Sequence, residues 1–156
     1  MKVGTSFVSV EQARKNVDRE LVGWDLERTA EAGRAAWDTA LGRIAVEGGS
    51  EDDLVRFYTA LYRTLLFPRI VSEDGRYMSA ADDRVHKGVS YNDYSLWDTF
   101  RAQHPLLLLT APERANDMVK ALLQMYDEGG RLPLWPNPME TNIMIGTHAD
   151  CVIADA

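Results

Sequence analysis

The sequence lacks the features that mark several large classes of protein. Cys151 is its one cysteine, so no disulfide forms within the chain; we interpret that thiol as a buried, apolar side chain. No apolar run approaches the roughly 18 residues that a membrane-spanning helix needs. The opening segment MKVGTSFVSV also lacks the apolar core of a signal peptide.

Positive charge is also scarce. Lys and Arg number 17 against 24 Asp and Glu, which gives a net charge of −7. Nucleic-acid binding depends on clustered Lys and Arg, so we expect no nucleic-acid partner, and no membrane partner either. An acidic surface fits a neutral substrate such as a sugar, and equally serves solubility alone.

Several catalytic motifs are missing as well. The sequence contains no zinc-protease HExxH, no glycine-rich phosphate loop and no nucleophile elbow. What it has is a globular composition, 46% hydrophobic and 26% charged, in 156 residues, which fits one ordinary domain.

Helical periodicity covers most of the chain. Apolar residues recur at three-, four- and seven-residue steps, and Asp25 and Ser50 are placed as N-caps. The last helical segment carries no stop signal. The predicted helices span residues 11–20, 26–46, 54–65, 113–128 and 141–156. We therefore predict a mainly α protein built from helical hairpins.

Two segments are not helical. Residues 2–10 alternate in the manner of a β-strand, but a single strand cannot satisfy its own backbone. The segment therefore pairs with something outside the chain or is not a strand. Residues 69–92 form a long connection in which Asp74 and Gly75 predict a hairpin turn. Connections of this length are often functional, although a plain surface hairpin is the alternative.

The segment 91–116 contains two predicted helix starts. Ser95 with Asp98 fits a capping box, and Thr110 with Glu113 fits a second. Pro105 between them removes one N–H from the helical ladder, so the helix must kink or restart before residue 106.

Asp98 is the strongest candidate for a binding residue. It shares a helix surface with Trp97 and Arg101. A carboxylate there can accept hydrogen bonds from two sugar hydroxyls while the indole covers an apolar face of the sugar. The competing interpretation is that Asp98 is only a helix cap, that Arg101 orients it, and that Trp97 and Phe100 belong to the core.

A second candidate cluster follows. Trp135 lies in the proline-rich loop LPLWPNPM, where it is a loop anchor or a stacking platform for a sugar. Glu140 and Asn142 either contact a substrate or cap the last helix. His148 can donate to a hydroxyl or satisfy a nearby carbonyl, and His104 is interpreted as structural.

Taken together, these motifs resemble glycoside hydrolase family 92, the exo-acting α-mannosidases. The resemblance lies in SLWDTFRAQHPLLLLTAPERANDMVKALLQMYDEGGRLPLW and in ETNIMIGTHADCVIADA, and VGTSFVSVEQARKN and FYTALYRTLL follow the same pattern. The family domain is several times longer than this chain. The resemblance implies an (α/α)6 toroid behind an N-terminal β-sandwich. Residues 1–12 would end the sandwich or link the domains, and residues 13–156 would begin a truncated catalytic domain.

The resemblance also implies a function. Family members are inverting, calcium-dependent enzymes that hydrolyse terminal α-linked mannose of glycans, which predicts a secreted or periplasmic protein. Their acid, base and metal motifs correspond to sequence beyond residue 156. We therefore assign no catalytic residue and no metal ligand here, expect the chain alone to be inactive, and name the remainder of the catalytic domain as its partner. The substrate-binding residues carried over are Trp97, Asp98, Trp135, Glu140, Asn142 and His148. The alternative function is a non-catalytic helical module for protein interaction or carbohydrate binding.

Overall fold

The computed structural model describes all 156 residues and is mainly α, as predicted. The helices are α1 (Val10–Glu20), α2 (Leu26–Leu41), α3 (Glu51–Thr64), α4 (Leu96–Thr99), α5 (Gln103–Thr110), α6 (Pro112–Gly129) and α7 (His148–Asp155). The strands are β1 (Arg69–Ile70), β2 (Arg76–Met78), β3 (Val85–Lys87) and β4 (Tyr91–Asn92). No helix combines the length and the apolar character needed to cross a bilayer. The chain divides into two compact units, residues 1–65 and residues 66–156.

The first unit contains α1 to α3, and side chains cap the start of each helix. The Asp25 carboxylate accepts a hydrogen bond from the backbone N–H of Arg28 at 3.0 Å. Ser50 and Asp53 form a complete capping box, in which each side chain accepts from the other residue's backbone N–H. Both N-caps were predicted from the sequence. The predicted end of α2 was wrong, because the helix stops at Leu41 rather than at residue 46.

The predicted strand over residues 2–10 is absent from this unit. Val10 already belongs to α1, and the residues before it form irregular chain. The first unit contains no other strand with which this segment could form a ladder. Its backbone is held by side chains instead: the Asn16 amide donates to the carbonyl of Thr5 at 3.0 Å.

The second unit begins with two small antiparallel sheets. β1 pairs with β4, and β2 pairs with β3 in a hairpin that sets Tyr77 opposite His86. Residues 79–84 connect these two strands. A separate tight turn leads into β2, where Glu73 and Arg76 exchange backbone hydrogen bonds of 2.7 and 3.0 Å. The turn residues Asp74 and Gly75 have φ angles of 51° and 70°, as a type I′ turn requires. The hairpin-type turn predicted at these two residues is confirmed.

The core of the second unit lies between α5, α6 and the segment that leads into α4. Tyr94 and Leu122 are almost fully buried, and the Tyr94 hydroxyl donates to the Met118 carbonyl at 2.9 Å. The helix restarts at Gln103, so Pro105 falls in the first turn of α5, where its missing N–H costs nothing.

Two predictions about helix starts in this unit were wrong. Thr110 is the last residue of α5 and donates to the carbonyl of Leu106, while Ala111 precedes α6. The last helix begins at His148 rather than at residue 141, because Asn142 has a left-handed φ of 52° that an α-helix cannot contain. Cys151 is exposed on α7 and not buried as predicted, since the buried face of that helix carries Ala149 and Val152.

Candidate functional site

An aromatic and charged surface surrounds the short helix α4. We call Trp97, Asp98, Phe100, Arg101 and His148 the α4 patch. The Arg101 guanidinium lies 5.0 Å from the ring centre of Trp97 and 5.1 Å from that of Phe100. It also donates to the Trp97 carbonyl at 3.1 Å. These cation–π contacts hold the Trp97 side chain, which is 38% exposed, at the surface.

Asp98 lies on the same surface, and its contacts differ from those predicted. The Ser95 hydroxyl donates to Asp98 Oδ2 at 2.7 Å, but neither side chain reaches a backbone N–H at the start of α4. The predicted capping box is therefore not formed. The prediction that Arg101 orients Asp98 was also wrong, because that guanidinium stacks on the aromatic rings. Asp98 is left with an exposed carboxylate held by one neighbour.

His148 joins this patch from the other end of the unit. Its ring centre lies 4.5 Å from that of Phe100, with 40° between the ring planes. Phe100 follows the last residue of α4, and His148 is the first residue of α7. The fold therefore brings His148 to the same surface as Trp97 and Asp98, some 50 residues earlier in the chain.

Glu140 is the structural centre of the proline-rich loop. Its Oε2 accepts hydrogen bonds from the backbone N–H groups of Leu134 at 2.7 Å and Trp135 at 3.1 Å. Its Oε1 accepts from the N–H of Asn142 at 2.8 Å and lies 3.7 Å from Arg131. Because three backbone N–H groups of the loop donate to this one carboxylate, Glu140 fixes the backbone positions of Leu134, Trp135 and Asn142.

Trp135 and Asn142 are placed by this loop. The Trp135 carbonyl accepts hydrogen bonds from both the N–H and the hydroxyl of Thr141, at 3.3 and 3.0 Å, and its indole is half-buried. Asn142 is exposed, and its side-chain oxygen accepts from Arg131 at 3.3 Å.

A cavity of about 300 Å³ opens beside the loop. We call it the hairpin cavity, because the β2–β3 hairpin forms one wall, α6 a second and the proline-rich loop a third. Of the six predicted binding residues, only Glu140 lines it. Its other lining residues include Tyr77, Met78, Ser79, Ala81, Ser90, Met125, Glu128, Arg131, Pro133, Pro136 and Met139.

The polar network at this cavity was not predicted from the sequence. The Tyr77 hydroxyl donates to Glu128 Oε1, and burial, followed by this contact, raises the pKa of Tyr77. The His86 ring stacks on Tyr77 with centres 5.7 Å apart, and its Nε2 lies 3.0 Å from an Asp82 carboxylate oxygen. The predicted turn at Asp74 and Gly75 lies before β2, so it did not predict the pairing of Tyr77 with His86, whose strands are joined by residues 79–84. No local signal could have shown that Glu128 joins them, because it lies 51 residues after Tyr77.

The chain's own residues do not fit a calcium site. Calcium takes six to eight oxygen ligands, and no group of three or more His, Cys, Asp or Glu side chains is placed to hold a metal ion. No chemical role for calcium therefore follows from these side chains.

Comparison with known proteins gives a consistent result. Residues 12–156 match the family model described as glycosyl hydrolase family 92 catalytic domain. An uncharacterized secreted glycosidase of Arthroderma benhamiae is 27% identical over an alignment of 161 positions, which covers 99% of this chain and 17% of that protein.

Two solved structures from Bacteroides thetaiotaomicron are also similar. A family 92 inverting mannosidase is 40% identical and has a TM-score of 0.93. The match covers 96% of the present chain and 21% of the mannosidase chain. A family 92 α-mannosidase in complex with mannoimidazole is 34% identical, with a TM-score of 0.89 over 96% of this chain and 20% of its own. The chain thus spans about a fifth of the length of the proteins that it matches.

Proposed function

Since the chain belongs to glycosyl hydrolase family 92, we propose that it is part of an inverting, calcium-dependent exo-α-mannosidase. The substrate is terminal α-linked mannose on a glycan. The observation that carries this proposal is the match to an inverting mannosidase at 40% identity and a TM-score of 0.93. The secreted relative supports a secreted or periplasmic location.

The α4 patch is the surface through which this chain contacts the sugar. The exposed Trp97 indole offers an apolar plane for the C–H face of a pyranose. Asp98 uses one oxygen to accept from Ser95, which leaves the other for a sugar hydroxyl. His148 supplies a ring nitrogen at the edge of the same surface.

The proline-rich loop supplies the second set of contacts. Glu140 acts through its hydrogen bonds to the loop backbone, which fix the positions of Trp135 and Asn142. Trp135 is then a second platform for the sugar, and the Asn142 amide nitrogen is a donor. Together with the α4 patch, this accounts for all six predicted residues.

This chain contributes binding and orientation rather than proton transfer. An inverting glycosidase needs two carboxyl groups about 6.5–9.5 Å apart, one as acid and one as base for a water molecule. We assign neither of them to a residue of this chain. Holding mannose in a fixed orientation lowers the barrier because less freedom is lost in the transition state.

A segment exchange tests this function. The present chain replaces the equivalent segment of the Bacteroides inverting mannosidase, and hydrolysis of an aryl α-mannoside is measured. We expect turnover, release of β-mannose as the first product in proton NMR spectra, and loss of activity with a chelator that calcium reverses. A folded exchange protein that hydrolyses no mannoside would favour the non-catalytic module. Release of α-mannose first would contradict inversion.

A further inference from the structure

The hairpin cavity is separate from the α4 patch, although its lining shares Glu140 and the proline-rich loop with the second set of contacts proposed for the terminal mannose. No residue of the α4 patch lines it. Its walls come from the β2–β3 hairpin, from the last turns of α6 around Met125 and Glu128, and from the proline-rich loop. All three elements belong to the second unit of the chain.

Three polar side chains at this cavity have hydrogen-bonding capacity that the chain does not use. Ser90 is 4% exposed, and its hydroxyl bonds to no other residue of the chain. Ser79 is 3% exposed; its oxygen accepts from the N–H of Ala81 at 3.1 Å, which leaves its own proton to donate. Glu128 accepts from Tyr77 through Oε1, and Oε2 makes no hydrogen bond. Ser79 and Ser90 are buried and Glu128 is partly buried, so three polar side chains with unused hydrogen-bonding capacity line one cavity, which suits a polar ligand.

The remaining lining restricts the chemistry of that ligand. Glu128 and Glu140 are opposed by one cation, Arg131, so the lining disfavours an anion. Apolar walls from Met125 and Pro136 suit C–H surfaces. The volume of about 300 Å³ is at the lower end of the range for small-molecule pockets, which fits one ring rather than a chain of rings.

We propose that the hairpin cavity binds a single neutral sugar ring, through the hydroxyls of Ser79 and Ser90 and the carboxylate of Glu128. This is a second carbohydrate site, distinct from the α4 patch. It rests on the proposed function only in the choice of mannose as the first ligand to test.

Methionine methyl groups provide a direct measurement. Met78, Met125 and Met139 line the cavity, whereas Met118 is buried in the core away from it. Mannose is titrated into the 156-residue chain with carbon-13 labelled methionine methyls. We expect concentration-dependent shifts of the three cavity methyls and no shift of Met118.

Variants then locate the site. Ser90→Ala should weaken the mannose response about tenfold, as the net loss of one hydrogen bond implies. Ala81→Leu adds bulk at an exposed lining position, so it should abolish the response without burying a new side chain in the core. Asp98→Asn, in the α4 patch, should leave the response of the cavity methyls unchanged.

The outcomes separate this proposal from the function proposed above. Cavity methyls that do not respond to mannose, or that respond equally in Ala81→Leu, would overturn the second site. A response to glucosamine but not to mannose would overturn the assignment to a neutral ligand. If the segment-exchange protein hydrolyses the mannoside while the cavity methyls do not respond to mannose, only the second-site proposal is refuted. If the cavity binds mannose while the exchange protein is inactive, only the mannosidase proposal fails.

Discussion

Asp98→Asn most directly tests whether the α4 patch faces the sugar. The substitution keeps the size of the side chain and removes its charge. In the structure the carboxylate makes one side-chain contact, the 2.7 Å bond from the Ser95 hydroxyl. An asparagine oxygen can accept the same hydroxyl proton, so this contact need not be lost.

The cost to folding is therefore small. The bond lies at the surface, and Asp98 does not cap the backbone of α4. We expect the free energy of unfolding to fall by about 0.5 kcal/mol or less, which is typical of an exposed polar contact.

The cost to catalysis is larger. A hydrogen bond between a sugar hydroxyl and a charged acceptor contributes about 1.5–3 kcal/mol. Its loss should lower kcat/KM by about one to two powers of ten. The two effects thus differ enough to be separated.

The assay combines thermal denaturation with steady-state kinetics in the segment-exchange mannosidase. Asp53→Asn is the matched control, because Asp53 forms the complete capping box that Asp98 does not. We expect Asp53→Asn to lower Tm with kcat/KM unchanged, and Asp98→Asn to lower kcat/KM with Tm nearly unchanged. If Asp98→Asn behaves as its control does, Asp98 serves the helix only and the α4 patch does not bind the sugar.

Three further outcomes are expected. Burial lowers the pKa of His104 to about 4. Between pH 6.5 and pH 4 this histidine is therefore protonated in the unfolded chain but neutral in the folded chain. The free energy of unfolding consequently decreases as the pH falls through this range. Urea unfolding should show that the free energy of unfolding decreases by about 2 kcal/mol between pH 7 and pH 5. His104→Phe should remove this pH dependence while it keeps a ring against Tyr94. The same pH dependence in the variant would show that His104 is not its origin. Glu140→Gln keeps one oxygen as an acceptor but places an amide NH2 group, which cannot accept, against a loop N–H. The variant should therefore lower the free energy of unfolding by about 1–3 kcal/mol and speed backbone hydrogen exchange at Trp135 and Asn142. Exchange at wild-type rates would show that Glu140 does not hold the loop. The purified 156-residue chain should not hydrolyse an aryl α-mannoside, and turnover that Asp98→Ala abolishes would refute the assignment of the acid and base outside this chain.

Features that depend on neighbouring residues were predictable from the sequence. Asp25 and Ser50 cap their helices because the groups that they satisfy lie three residues away. Asp74 and Gly75 form the hairpin turn because both tolerate positive φ. The family motifs also identified the residues of the α4 patch, although their contacts did not follow from the motifs.

Only the tertiary structure decided which of several local options each side chain takes. Ser95 and Asp98 fit the capping-box pattern as well as Ser50 and Asp53 do, yet they bond to each other rather than to the backbone. Arg101 lies three residues after Asp98 in the sequence and so could have paired with its carboxylate, but in the structure its guanidinium lies over the rings of Trp97 and Phe100.

The lining of the hairpin cavity was even less predictable from local sequence patterns. Tyr77, Ser90 and Glu128 belong to a hairpin, a connection and a helix, and each pattern predicts its own element without predicting the distance to the others. Periodicity and capping act over about four residues, because they depend on backbone hydrogen bonds within one turn. The convergence of groups some 50 residues apart depends on how the elements pack, and packing decided the polar lining of the cavity.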